Sequence, residues 1–304
     1  MTPVSTSASR DLPFAAAGSP LTPGEPVVRV RKRARLGRNL FAAVAVGIGL
    51  GVAILGPLLL VAPHAFLGTL AVAAAIGTWE LAGALRRGAG IDVPLPVLLP
   101  GGQLMIWLAW PFGVEGVAGG FGLTLVAALL WRLRSGASHY VRDVTATVFA
   151  AAYVPLCCAF AALMTVTEPD GLGRVLTFMI PVVASDIGGY AAGVIAGRHP
   201  MAPTISPKKS WEGFAGSQVA GMAAGALCVV FLLGGQWWEG AVLGALLVGS
   251  AVFGDLVESM IKRDLGIKDM GNLLPGHGGL MDRLDSMLPT AVVAWLVLSV
   301  LVPA

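Results

Sequence analysis

The chain has 304 residues, 56% of them apolar and 12% charged, with a mean hydropathy of +0.80. A charged fraction about half that of an ordinary soluble domain excludes a water-soluble globule, and the net charge of +3 matters less than where the charges fall. The apolar segments are continuous rather than alternating, so they read as membrane helices of about 20 residues each and not as the strands of an outer-membrane barrel.

Residues 1–38 are rich in Ser, Thr and Pro and end in the basic run Arg29 to Arg38, the composition of a disordered basic cytoplasmic tail. A secretory signal peptide fits poorly, because the apolar stretch begins only near Asn39 and is too long. Nine apolar windows follow, at about 39–62, 64–84, 94–110, 112–131, 144–166, 175–197, 214–234, 239–261 and 287–303. They predict an all-α polytopic membrane protein with about nine transmembrane helices. The 94–110 window is short and interrupted by Pro100, Gly101 and Gly102, the pattern of a kinked or partial span. Cys157, Cys158 and Cys228 lie inside apolar runs and read as packing residues rather than a disulfide framework or a metal site.

Lys and Arg collect on the cytoplasmic side of a membrane. With the tail inside and nine spans alternating, the inside segments take the seven basic residues of the tail, then Arg86 and Arg87, then Arg132, Arg134 and Arg142. They also take Arg198, Lys208 and Lys209, and finally Lys262, Arg263, Lys268 and Arg283. Of the 20 Lys and Arg, Arg174 alone falls outside. The N-terminus is therefore expected in the cytoplasm and the C-terminus outside.

Acidic residues inside spans cost on the order of 2.5–3.5 kcal/mol each near the bilayer centre and need compensation. Glu80 and Glu115 lie near span ends and are expected to snorkel to the interface. Asp186 lies about midway along its span, in Ser185-Asp186-Ile187-Gly188. Asp255 and Glu258 are three apart and Ser259 is four beyond Asp255, so one helical face carries two carboxylates and a hydroxyl. Two acids on one face repel unless a cation or a proton intervenes.

The densest chemistry follows, in residues 259–286. Gly276, Gly278 and Gly279 bracket His277 just before a helix, a setting suited to a backbone nest around phosphate oxygens. Asp282 and Asp285, three apart, present a carboxylate pair. Oxygen ligands at this density suit magnesium, which binds carboxylates together with substrate phosphates, and Lys262, Arg263, Lys268 and Arg283 would face the remaining phosphate charge. A second basic cluster on the same face, Ser206-Pro207-Lys208-Lys209-Ser210-Trp211-Glu212-Gly213, reads as a shaped loop.

At these residues the sequence resembles the phosphatidate cytidylyltransferase (CDP-diacylglycerol synthase) family. The family signature is met by Ser259, Lys262, Arg263, Lys268, Asp269, His277, Gly278, Gly279, Asp282, Arg283 and Asp285. The 206–213 loop resembles the family's second motif without departure, and Asp186, with Gly197 and Arg198 after it, resembles a third. The likeness is strong over about 180–290 and rests on hydropathy alone before that. It implies condensation of phosphatidate with CTP to give CDP-diacylglycerol and pyrophosphate for phospholipid biosynthesis, dependent on magnesium, with a second metal ion and a homodimer left open and no nucleic-acid partner. Asp255 and Asp282 would be the main metal ligands, supported by Asp186, Glu258 and Asp285. Ser206, Lys208, Lys209, Ser259, Lys262, Arg263, Lys268, Gly278, Gly279 and Arg283 would bind phosphates, and His277 would position a phosphate or transfer a proton. The expected organisation is a tail over 1–38, N-terminal helices over 39–174 and a catalytic region over 175–304, in the plasma membrane with the site facing the cytoplasm. A CTP-dependent lipid kinase is the nearest alternative, and an ion-coupled transporter a more distant one.

Overall fold

A computed structural model of the chain describes residues 63–273 and 278–303 with isolated positions between 49 and 59, the side chains at 63, 64, 207 and 208 excepted. The 1–38 tail, most of the 39–62 window, His277 and the Lys208 side chain lie outside the described residues. Seven helical segments among the described residues are long and apolar enough to cross a membrane. In chain order the elements are α1 (Pro63–Ala89), α2 (Leu95–Leu133), α3 (Tyr140–Ala151), a π turn (Ala152–Leu156) and α4 (Cys157–Thr165). Then come α5 (Gly171–Ala196), β1 (Pro200–Ala202), β2 (Ser206–Ser210), α6 (Trp211–Leu232), α7 (Trp237–Asp264), α8 (Met281–Leu284) and α9 (Met287–Leu301).

The apolar windows 94–110 and 112–131 both fall within α2. A straight helix of its 39 residues would be about 58 Å long, nearly twice the hydrocarbon thickness. Gly113 breaks it instead, with φ 55° and ψ −137°, beside Pro111. Its two arms fold back on each other: Met105 meets Gly120, and Thr124 packs on Gly101. A hydrogen at the Cα of Gly101 and Gly120 is what lets the arms approach this closely. Glu115, just past the turn, is exposed.

Small residues also set the packing of α5, α6 and α7. A methyl group at Gly213 would lie 3.2 Å from the Gly189 carbonyl oxygen, and one at Gly225 would lie 3.1 Å from the Gly244 backbone. Helix association in lipid has no hydrophobic drive of its own, so close backbone approach of this kind supplies the contact energy. Pro155 has no N–H to donate, and the π turn absorbs the missing bond. Cys157 and Cys158, which open α4, are buried free thiols, in line with a packing role.

Two groups of ion pairs among the described residues lie at opposite ends of the bundle. At one end Arg174 is buried, pairs with Asp170 at 2.8 Å and donates to the Val302 carbonyl at 2.7 Å. At the other, Arg132 and Arg142 both bind the buried Asp143, Arg142 reaches the Gly90 carbonyl at 3.0 Å, and Arg87 donates to the Met270 carbonyl at 2.8 Å. This second end carries the signature segment.

Candidate active site

The last turns of α7 place Asp255, Glu258, Ser259 and Lys262 on one face, and the chain then folds back through residues 265–280 into α8. Lys262 is the hinge of the ion-pair network. Its Nζ donates to Asp282 Oδ1 at 2.9 Å and also pairs with Glu258 four residues earlier, whose side chain is fully buried. Asp282 is nearly saturated: the backbone N–H of Met270 donates to both of its oxygens at 3.2 and 3.0 Å, and the N–H of Gly279 to Oδ2 at 2.8 Å. This one carboxylate thereby closes the loop between α7 and α8. Gly278, at φ 81°, holds the left-handed conformation the loop needs there.

Glu258 has an oxygen left over. Its Oε1 is buried, and the carboxyl groups of Glu258 and Asp285 lie within hydrogen-bonding reach of each other. Asp255, one turn up α7, is paired with Lys209 from β2. Among the described residues, no three His, Cys, Asp or Glu side chains converge in a metal-holding arrangement. The buried Glu258 oxygen and the nearby Asp285 carboxyl nevertheless suit a cation, with the ammonium groups of Lys209 and Lys262 already paired to Asp255 and Glu258.

The 206–213 loop has a definite shape. β2 pairs antiparallel with β1, Pro200 opposite Ser210 and Ala202 opposite Ser206. Ser210 caps α6 by accepting from the Gly213 N–H at 3.1 Å. Glu212 accepts from the backbone N–H groups of Arg198 and His199 at 3.2 and 3.3 Å and meets His199 Nδ1 at 2.5 Å. The hairpin was not predicted from sequence, because its strands are three and five residues long and Ser-Pro-Lys-Lys-Ser carries no apolar alternation.

Two cavities flank these ion pairs. A cleft of about 600 Å³ is lined by Ile205, Ser206, Ser259, Lys262, Arg263 and Lys268, with Gly266 and Ile267 between the last two. A second pocket of about 390 Å³ lies between α5 and α6, lined by Asp186, Tyr190 and Val194 of α5 together with Lys209, Ser210 and Phe214. The predicted phosphate binders Ser206, Ser259, Lys262, Arg263 and Lys268 thus share one space, whereas Asp186 stands in the neighbouring one. Arg283 is exposed on α8.

Glu80 departs from expectation. It does not snorkel: it is 2% exposed, buried beneath the signature loop. Its Oε2 accepts from the Met281 N–H at 2.8 Å, Oε1 has no partner, and Gly271 and Gly279 pack directly on the carboxylate. Arg87, seven residues on and so on the same face of α1, holds the Met270 carbonyl. Neither Glu80 nor Arg87 has a local signal for this role, since their partners lie more than 100 residues away.

A model of the cytidylyltransferase family matches residues 41–301. The chain belongs to that family. It is 51% identical over 280 residues to the phosphatidate cytidylyltransferase of Mycobacterium bovis, covering 88% of this chain and 90% of the relative. It is 48% identical over 306 residues to that of Mycobacterium leprae, covering 93% and 97%. A phosphatidate cytidylyltransferase of Helicobacter pylori is 42% identical over 129 residues, 42% of this chain and 48% of the relative.

Proposed function

We propose that this chain condenses phosphatidate with CTP to form CDP-diacylglycerol and pyrophosphate. The observation that carries this reading is the 600 Å³ cleft, lined by two hydroxyls and three basic side chains and backed by buried acids, in a membrane-embedded member of the cytidylyltransferase family. A nucleoside triphosphate brings several negative charges, and Lys262, Arg263 and Lys268 supply charge-assisted donors to them. The adjoining pocket, mainly apolar with Asp186 and Lys209 in its lining, suits a lipid whose phosphate meets Lys209 while its glycerol side lies against Val194, Met201 and Phe214.

In this reading an oxygen of the phosphatidate phosphate attacks the α-phosphorus of CTP, and the bond to the β-phosphate oxygen breaks to release pyrophosphate. The nucleophile is already an anion, so no strong base is required; the protein aligns the reactants and stabilises the charge that develops on the leaving group. Glu258, Asp285 and Asp255 would hold magnesium, which when bound neutralises phosphate charge that the lysines alone leave over. Asp282, with its oxygens already committed to backbone donors, serves to fold the loop that presents these groups. Counting the 39–62 window and the two arms of α2 separately gives nine spans. The gathering of basic loops at the site's end of the bundle supports a cytoplasmic site in the plasma membrane, with the N-terminus inside and the C-terminus outside.

Purified protein supplied with phosphatidate, CTP and magnesium is expected to yield lipid-bound cytidine and free pyrophosphate in equal amounts. A phosphorylated lipid and free CDP instead would identify a CTP-dependent lipid kinase and overturn the proposal.

A further inference from the structure

A two-stranded hairpin is marginal in water by itself, and the β1–β2 hairpin is poorly equipped to stand alone. Its strands are three and five residues long, the register shifts between Pro200 and Ala202, and Pro200 and Pro207 have no N–H to give to a ladder. Both cavities nevertheless depend on it. Ile205 and Ser206 line the cleft, while Met201, Lys209 and Ser210 line the adjoining pocket. Contacts from outside the hairpin must therefore fix its position.

Those contacts converge on the residues that lead into β1. The His199 carbonyl accepts from the Trp211 N–H at 3.0 Å, its own N–H donates to Glu212 Oε2 at 3.3 Å, and its ring Nδ1 meets Glu212 Oε1 at 2.5 Å. The Arg198 N–H donates to the same Oε2 at 3.2 Å. Both carboxylate oxygens of Glu212 are thus engaged at the entry to the hairpin, from the first turn of α6, where the helix terminus favours a negative charge. The His199 side chain is 78% exposed, so hydrogen bonding rather than burial holds it. We infer that Glu212 is a positioning residue of the reaction centre, which latches the hairpin to α6 and so keeps Ser206 in the cleft and Lys209 in the adjoining pocket. A displacement of about 1 Å in groups that orient substrate can cost on the order of 100-fold in rate. This role rests on the function proposed above.

The test compares Glu212→Ala with Glu212→Gln in the full chain. Glutamine keeps one oxygen for the two backbone N–H groups, and its amide can donate to His199 Nδ1; alanine keeps neither contact. Glu212→Ala is expected to lower kcat/KM for CTP and for phosphatidate together, each by at least about tenfold, and Glu212→Gln by less than about threefold. Trypsin should cut the substrate-free alanine variant faster than wild type at Arg198, Lys208 or Lys209, with the glutamine variant close to wild type. Both thermal midpoints should stay within about 2 °C of wild type, because the latch is solvent-exposed. Equal activity losses in the two variants, an alanine variant within about threefold of wild type, or unchanged tryptic cutting of the alanine variant would each overturn the latch. An inactive wild-type protein would instead refute the underlying reading of function, and the proteolysis would still decide the latch.

Discussion

Asp282 concentrates four hydrogen bonds on two oxygens, and an asparagine there would turn one acceptor into a donor facing backbone N–H groups. Asp282→Asn is therefore expected to lose at least 100-fold in turnover, about 2.7 kcal/mol of barrier, and also to open the 265–280 loop to protease. Asp255→Asn, whose described partner is the single ammonium of Lys209, should lose activity while the loop stays protected. Equal protection of both variants by limited proteolysis would remove Asp282 from its loop-closing role. Much of this was legible in sequence, because Lys262, Asp282 and Asp285 come in a fixed spacing that needs no tertiary knowledge. What spacing could not say is how the acids divide their work. Asp282 reads as a metal ligand in a one-dimensional pattern, and the fold adds that the N–H groups of Met270 and Gly279 donate to its oxygens. Glu80 was misplaced for a related reason, since a carboxylate near a span end looks the same whether it reaches water or a loop 201 residues away.

The helices themselves were visible as apolar runs, whereas their irregularities were not. A break at Gly113 could be read as the gap between two windows, but the close return of one α2 arm on the other depends on Gly101 and Gly120 facing Thr124 and Met105. The stripe along α6 and α7 makes a sharper case. Gly225 abuts the backbone of Gly240 and Gly244, while Gly249, a turn further along α7, has open space around its Cα. Valine at either position carries a similar helix-propensity change, so the difference between them isolates packing. Gly225→Val should cost about 1–3 kcal/mol through separation of the two helices, and Gly249→Val should leave the thermal midpoint in detergent close to wild type. Equal midpoints for the two variants would contradict tight α6–α7 packing.

At the scale of the molecule, the opposed ends give a topology that labelling can check. The native cysteines are buried, so an introduced thiol reports alone. Glu168→Cys, in the turn before α5, should react with an impermeant reagent added outside intact cells, and Thr204→Cys, at the tip of the β1–β2 hairpin, should react only after permeabilisation. Labelling of both from one side would refute the alternating spans. The contacts of α1 with the signature loop carry a different implication, for how such a protein can be cut or recombined. The motif residues sit in the last third of the chain, yet the peptide groups of Met270 and Met281 are gripped by Arg87 and Glu80 from the first described helix. A C-terminal half expressed alone would possess every signature residue and lack the surface that presses the loop into shape. A hybrid joining halves from two relatives would inherit its fidelity from whether α1 and the loop came from the same parent.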